Sequence, residues 1–283
     1  MRSMPPSVSV GAARAPSLAG DMLAAAASAR IGFASTLAAW PVLAGRAMFY
    51  VLIMVILSAL WDKVAAEHLR GTLASALPAG GLAIYVGVTE WITFSVPSVH
   101  LRLEDDIRGG LLEPHLLRPK SYLVQKVAEA MGGTAARFLV MGATAVALLT
   151  ASGRAWPPLT ALPAILALGV LGAAVGTMLF TLAGLTAFWI RRVLPPYLIV
   201  QKLVFLLGGL FAPVTLYPPW LRDLALASPF SAHLGFAGLA ALSPATGQVW
   251  TWLALQGLWL ALLGVMALAM WRAGLAKTLR EGV

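Results

Sequence analysis

Residues 102–126 read RLEDDIRGGLLEPHLLRPKSYLVQK. Nine of the chain's 31 Asp, Glu, Lys and Arg residues fall in these 25 positions: Arg102, Glu104, Asp105, Asp106, Arg108, Glu113, Arg118, Lys120 and Lys126. Long apolar runs stand on both sides. A charged island between two apolar runs has no place in hydrocarbon, so it belongs in water at one face of a bilayer. Within it, Leu103, Ile107 and Leu111 recur every four residues, along one helical face. Asp105, Asp106 and Arg108 fall on other faces. Gly109-Gly110 then breaks the helix and permits a sharp redirection. A second short stretch, Leu111 to Leu117, ends at Arg118-Pro119. A solvated loop has no use for Leu111, Leu112, Leu116 and Leu117. An amphipathic corner that docks in a groove of a partner does.

The composition agrees. The chain has 283 residues, of which 60% are hydrophobic and 11% charged; soluble domains carry about 25% charged residues. This is an integral membrane protein. The formal charge of +9 is not a nucleic-acid footprint, because the basic residues sit at the ends of apolar runs. Retention of Lys and Arg on the cytoplasmic side accounts for them, and no nucleic-acid partner is expected. With no cysteine, disulfides, thiolate metal sites and Cys nucleophiles are excluded. Residues 1–16 are rich in Pro, Ser and Ala. They read as a disordered tail without the compact apolar region of a cleavable signal peptide.

A membrane-spanning helix needs about 20 mostly apolar residues. Six segments qualify: Val42–Trp61, Gly80–Ser98, Gly133–Ser152, Pro163–Trp189, Tyr197–Leu216 and Val249–Trp271. The expected fold is all-α: one polytopic transmembrane domain over residues 1–283 with six transmembrane helices. Six spans put both termini on one side. With cytoplasmic termini, 16 of the 20 Lys and Arg residues lie inside and four outside (Lys63, Arg70, Arg154 and Arg222). That asymmetry supports both termini in the cytoplasm of a bacterium, with the chain in its inner membrane.

Two segments are neither spans nor simple loops. In residues 17–40, Leu18, Met22, Ala25, Ala29, Phe33, Thr36 and Trp40 recur at helical spacing. This reads as an amphipathic helix on the inner membrane surface, or as an Ala-rich helix packed on the protein itself. Residues 217–247 are apolar, punctuated by prolines and nearly uncharged. They are expected to dip into the membrane as short re-entrant helices, which survive there only when buried in protein or lining a cavity.

No soluble-enzyme motif is present. Without a Gly-rich loop ending in Gly-Lys-Ser/Thr, the chain does not bind ATP in the P-loop manner. His68, His100, His115 and His233 are scattered and define no metal site. Glu90 is the one acidic residue in the middle of a span. Intramembrane carboxylates face a partner or an aqueous cavity, so Glu90 is either a substrate or proton site or a structural hydrogen-bonding group. Gly172-Ala-Ala-Val-Gly176 allows close helix approach, within the chain or between two chains.

The island resembles the cytoplasmic loop of the permease subunits of ABC-2-type transporters. There an acidic-Ile-Arg-x-Gly turn is followed by Leu-Leu-Arg-Pro, matched here by Asp106-Ile107-Arg108-Gly109-Gly110 and Leu116-Leu117-Arg118-Pro119. The similarity continues, in order, at Ala187-Phe188-Trp189, Gly208-Gly209-Leu210-Phe211-Ala212-Pro213, Leu216-Tyr217-Pro218-Pro219-Trp220-Leu221 and Pro229-Phe230. It lapses over Gly235–Pro244. The resemblance implies a non-catalytic permease subunit of an ABC exporter for an amphiphilic drug, lipid, peptide or glycolipid. It implies a second permease, identical or homologous, and two ATPase subunits that carry the ATP and Mg; no cofactor is expected on this chain. Coupling to the ATPase then falls to residues 102–122, through Asp105, Asp106, Ile107, Arg108, Gly109, Gly110, Leu111, Leu116, Leu117, Arg118 and Pro119. The translocation path or gate falls to Glu90, Phe211, Pro213, Pro218, Pro219, Pro229 and Phe230. The reading that competes with it is an ion-coupled carrier or channel built around Glu90.

Overall fold

A computed structural model describes residues 18–67, 80–110, 112, 121–153, 157–243 and 246–281. The tail 1–16 and the island residues Leu111, Leu116, Leu117, Arg118 and Pro119 lie outside that set. Among the described residues every regular element is helical. In order they are α1 (Leu18–Ala38), α2 (Trp40–Glu67), α3 (Gly81–Ser95), α4 (Val99–Arg108), α5 (Tyr122–Ala151) and α6 (Leu162–Leu185). There follow α7 (Leu194–Leu207), α8 (Pro219–Ala227), α9 (Pro229–His233), α10 (Gly235–Leu242) and α11 (Thr246–Glu281).

Five stretches are long and apolar enough to cross a membrane: Trp40–Val64, Gly81–Arg108, Tyr122–Ala151, Leu159–Phe188 and Gly247–Arg280. The fifth expected span, Tyr197–Leu216, differs. Its helix α7 runs over Leu194–Leu207, only 14 residues. Gly208 and Gly209 stop it: Gly209 has φ +69, and the Leu210 N–H returns to the Phe205 carbonyl at 3.3 Å. This six-to-one bond closes a helix whose C′ residue is a left-handed glycine. The apolar run continues past that stop, so hydropathy alone hides it.

The second span is also interrupted. Pro97 forces Val96 out of the helical region, to φ −78 and ψ 130. The chain resumes as α4, so the first part of the charged island is a helical continuation of the span.

Helix α6 is the hub. It packs against α3, α4, α5, α9, α10 and α11. Sixty-one per cent of its most apolar window is buried, against 17% for α2 and for α11. The outward faces of those two carry Met48, Phe49, Leu52, Val55, Trp250 and Val265, all more than half exposed. Lipid or another subunit must cover them.

Helix α1 packs on α5 through small residues. A Cβ on Gly32 or Gly132 would collide with the Glu129 or Ala29 backbone of the facing helix. Ala25, Ala29, Phe33 and Thr36 turn at least partly inward, whereas Met22 and Trp40 are exposed. From Met22 to Trp40 the stripe is therefore split between two faces. The helix lacks a polar face because its Ala, Gly and Ser residues favour close helix contact over amphipathicity.

Candidate functional site: the α4 corner and the pinned hairpin

The α4 corner is built on a close approach. Gly184 of α6 has no side chain; a Cβ there would stand 2.9 Å from His100 Cα and 2.9 Å from Leu103 Cδ1. Leu103 is fully buried in the gap and His100 is nearly so. The His100 ring stacks on Tyr197 of α7, with centroids 3.8 Å apart and planes 11° apart.

Polar groups then tie α4 to its neighbours. The Arg108 guanidinium donates to the Ala187 carbonyl at 3.1 Å and to the Ile190 carbonyl. These acceptors lie where α6 gives way to a 3-10 turn at Thr186–Phe188, so a cation meets the negative end of a helix. On the other side, Asp106 accepts from the Tyr122 hydroxyl and from the Lys126 ammonium at 2.7 Å. Both charged side chains are less than one fifth exposed. Arg102 pairs with Glu129 at 2.9 Å in a more open setting. Tyr122 stacks on Trp271 of α11, which meets Phe188 edge-on. The Lys277 ammonium donates to the Phe188 carbonyl at 3.0 Å. Arg46 of α2 closes this pole by donating to the Phe94 and Val96 carbonyls at the end of α3, at 2.9 and 3.2 Å.

The expected coupling residues thus divide. Asp106 and Arg108 make contacts within the chain. Ile107 is half-buried against the chain's own core, not pointed wholly outward. Asp105, Gly109 and Gly110 are exposed. Gly110 has φ +70, a backbone conformation that suits glycine. Leu112 is buried. The Tyr122–Trp271–Phe188 stack and the Arg46 cap escaped the sequence reading, since nothing in local spacing links residues so far apart.

At the other pole, the segment from Gly208 to Leu242 folds back as a hairpin of short helices. Broken helices leave carbonyls without partners, and side chains from the hairpin and from the helices around it bond across the two. Tyr85 donates its hydroxyl to the Gly209 carbonyl at 2.8 Å. Thr89 donates to the Val86 and Leu210 carbonyls at 3.1 and 3.3 Å. Ser231 donates to the Leu207 carbonyl at 2.7 Å. The Gln256 amide of α11 donates to Leu168 and Ala232 carbonyls at 2.9 and 2.8 Å. The His233 Nδ1–H donates to the Gly172 carbonyl at 2.8 Å.

Gly172 and Gly176 form the seat for His233. A Cβ on Gly172 would collide with its backbone carbonyl, and one on Gly176 with its ring. The Gly-x-x-x-Gly pattern therefore serves packing within the chain. Residues 231–241 are buried without a gap, although the family pattern lapses there. Of the expected gate residues, Pro213 is buried and Phe230 partly so, while Phe211, Pro218 and Pro219 are exposed. Pro219 and Pro229 each open a short helix at its first position. Glu90 is 5% exposed on α3. No described basic group lies within salt-bridge distance of its carboxylate.

No curated protein matches the chain. The family model described as ABC-2 family transporter protein matches residues 82–281, from the start of α3 to the last residue of α11. That match takes in both the α4 corner and the pinned hairpin and covers more than half of the sequence. This multi-pass membrane protein therefore belongs to the ABC-2 transporter family, as a transport permease.

Proposed function

We propose that the chain is the permease subunit of an ATP-driven exporter and that the α4 corner receives the stroke of a separate ATPase. The observation that carries this reading is the way α4 is tied in. Helix α4 is bonded to α5 through Asp106 and to the end of α6 through Arg108. The end of α6 is in turn bonded to α11 through Lys277. A push on this corner moves three long helices together, which a loosely tethered loop does not do. Asp105, Gly109 and Gly110 are exposed and precede residues 111–120 in sequence. Leu111, Leu116 and Leu117 in that stretch supply the apolar anchors that dominate protein interfaces.

The remaining assignments follow from that reading. Two ATPase subunits, which bind ATP and Mg, dock on the cytoplasmic pole. The bias of Lys and Arg toward this pole supports cytoplasmic termini in a bacterial inner membrane. Helix α7 and the hairpin after it form the sixth crossing, with α8–α10 as the re-entrant gate. The burial of residues 231–241 and the side-chain donors that meet the carbonyls of Gly209, Leu210 and Ala232 support this. Helix α1 lies along the inner membrane surface with Met22 and Ile31 toward lipid. A second permease covers the exposed faces of α2 and α11. The transported molecule is an amphiphile, and Glu90 faces its path.

The test is the double substitution Leu116→Asp with Leu117→Asp. The variant should insert normally, lose the co-purifying ATPase and lose ATP-driven efflux from intact cells. Full ATPase association and full efflux would refute the coupling role. Efflux that persists without ATP and collapses with the proton gradient would replace the reading with an ion-coupled carrier.

A further inference from the structure

Away from the α4 corner, α2, α3, α5 and α6 enclose a cavity of about 410 Å³. This lies within the range of small-molecule sites, roughly 300–1,000 Å³. Its walls are Met54, Gly87, Val88, Ala145, Leu149 and Ile165, among others. The polar groups in its depth are already satisfied. The Tyr50 hydroxyl donates to the Gly87 carbonyl at 3.1 Å. The Trp91 indole donates to the Phe138 carbonyl at 2.7 Å, and its ring lies over Gly142, where a Cβ would stand 2.5 Å from Cζ2. A polar ligand would lose hydration there and gain no partner. A hydrocarbon chain loses nothing.

The cavity has a direction. Ser58, Asp62 and Ser152 line one end, and Asp62 and Ser152 are exposed. Val55 and Val146, both about half exposed, flank its side. The segments that form it are among the long apolar helices. Such a space opens sideways to lipid and is polar only at one rim.

We propose that this cavity holds the hydrocarbon tail of one amphiphile taken from the membrane, with its head at the Asp62 rim. The proposal rests on the membrane-spanning reading of these helices and not on ATPase coupling, so it stands or falls apart from the exporter test. The probe is a palmitoyl lysophosphatidylcholine carrying a diazirine on its tail, given to purified protein in nanodiscs. Adducts are located by mass spectrometry and challenged with unlabelled probe. They should concentrate on Val55, Gly87, Val88 and Ala145. Ala145→Phe or Ala59→Phe, filling the cavity, removes about three methylenes of tail contact and should weaken specific labelling roughly 50-fold. Leu139→Phe, on the 62% exposed face of the same helix as Ala145, should leave it unchanged. Met54→Ala enlarges the cavity and should shift preference to longer tails, which a merely unstable variant would not do. Adducts spread evenly over the exposed faces of α2 and α11 would overturn the proposal. So would filled variants that elute as folded protein and label like the parent, or cavity residues that crosslink to a second copy and take no probe.

Discussion

The tie between Asp106 and Lys126 should be worth several times more than an ordinary surface ion pair, and a double-mutant cycle can measure it. The perturbations are Asp106→Asn, which keeps an acceptor for Tyr122, and Lys126→Met, which keeps the aliphatic stem. At 2.7 Å the gross attraction is about 6 kcal/mol for an effective dielectric near 20. The side chains are 16% and 18% exposed, so desolvation offsets much of it. The pair falls between exposed bridges, at most about 1 kcal/mol, and fully buried ones, whose disruption costs roughly 3–5 kcal/mol. A coupling of about 2 kcal/mol follows, roughly 30-fold in the folding equilibrium. The Arg102–Glu129 pair, 45% and 28% exposed, is the internal control and should couple by less than about 1 kcal/mol. The assay is equilibrium unfolding in mixed SDS and dodecylmaltoside micelles, for each single and double variant. Added salt should erode the control more than the Asp106 pair, because half-buried charges are screened less. An Asp106–Lys126 coupling below about 0.5 kcal/mol, no larger than that of the control, would show that α4 is not held to α5 in this way.

Two other outcomes are expected. Glu90→Gln keeps the shape of a buried side chain and should change the unfolding free energy by less than about 1 kcal/mol. It should alter substrate-stimulated ATPase activity of the assembled transporter several-fold; equal stimulation across a panel of amphiphiles would leave Glu90 a structural role alone. Single cysteines are clean probes because the chain has none. Replacements at Trp220 and Leu224, both exposed, should react with a membrane-impermeant thiol reagent at least tenfold faster than one at buried Phe236. Equal rapid labelling of all three would make the hairpin an ordinary solvated loop.

Much of this molecule was legible in the linear chain. Hydropathy marks the long apolar helices because a span must be apolar for about 20 consecutive residues whatever it packs against. The charged island, the break at Gly109-Gly110 and the proline-punctuated hairpin are local signals of local chemistry. The short motifs around them carried the family resemblance. Tertiary structure decided what those elements do to one another. Hydropathy sees no difference between a long helix and one stopped by Gly209, since both are apolar. It cannot tell that Ile107 packs on the core or that Asp106 and Arg108 bond to neighbouring helices, because a charge near the end of a span can meet water or a carbonyl equally well. The seat of His233 on Gly172 and Gly176, the Tyr122–Trp271–Phe188 stack and the cavity beside Tyr50 join residues far apart in sequence. Such contacts depend on the relative placement of whole helices. That placement is set by shape, by small residues that admit close backbones and by unsatisfied carbonyls that draw particular side chains, none of which has a period in the sequence.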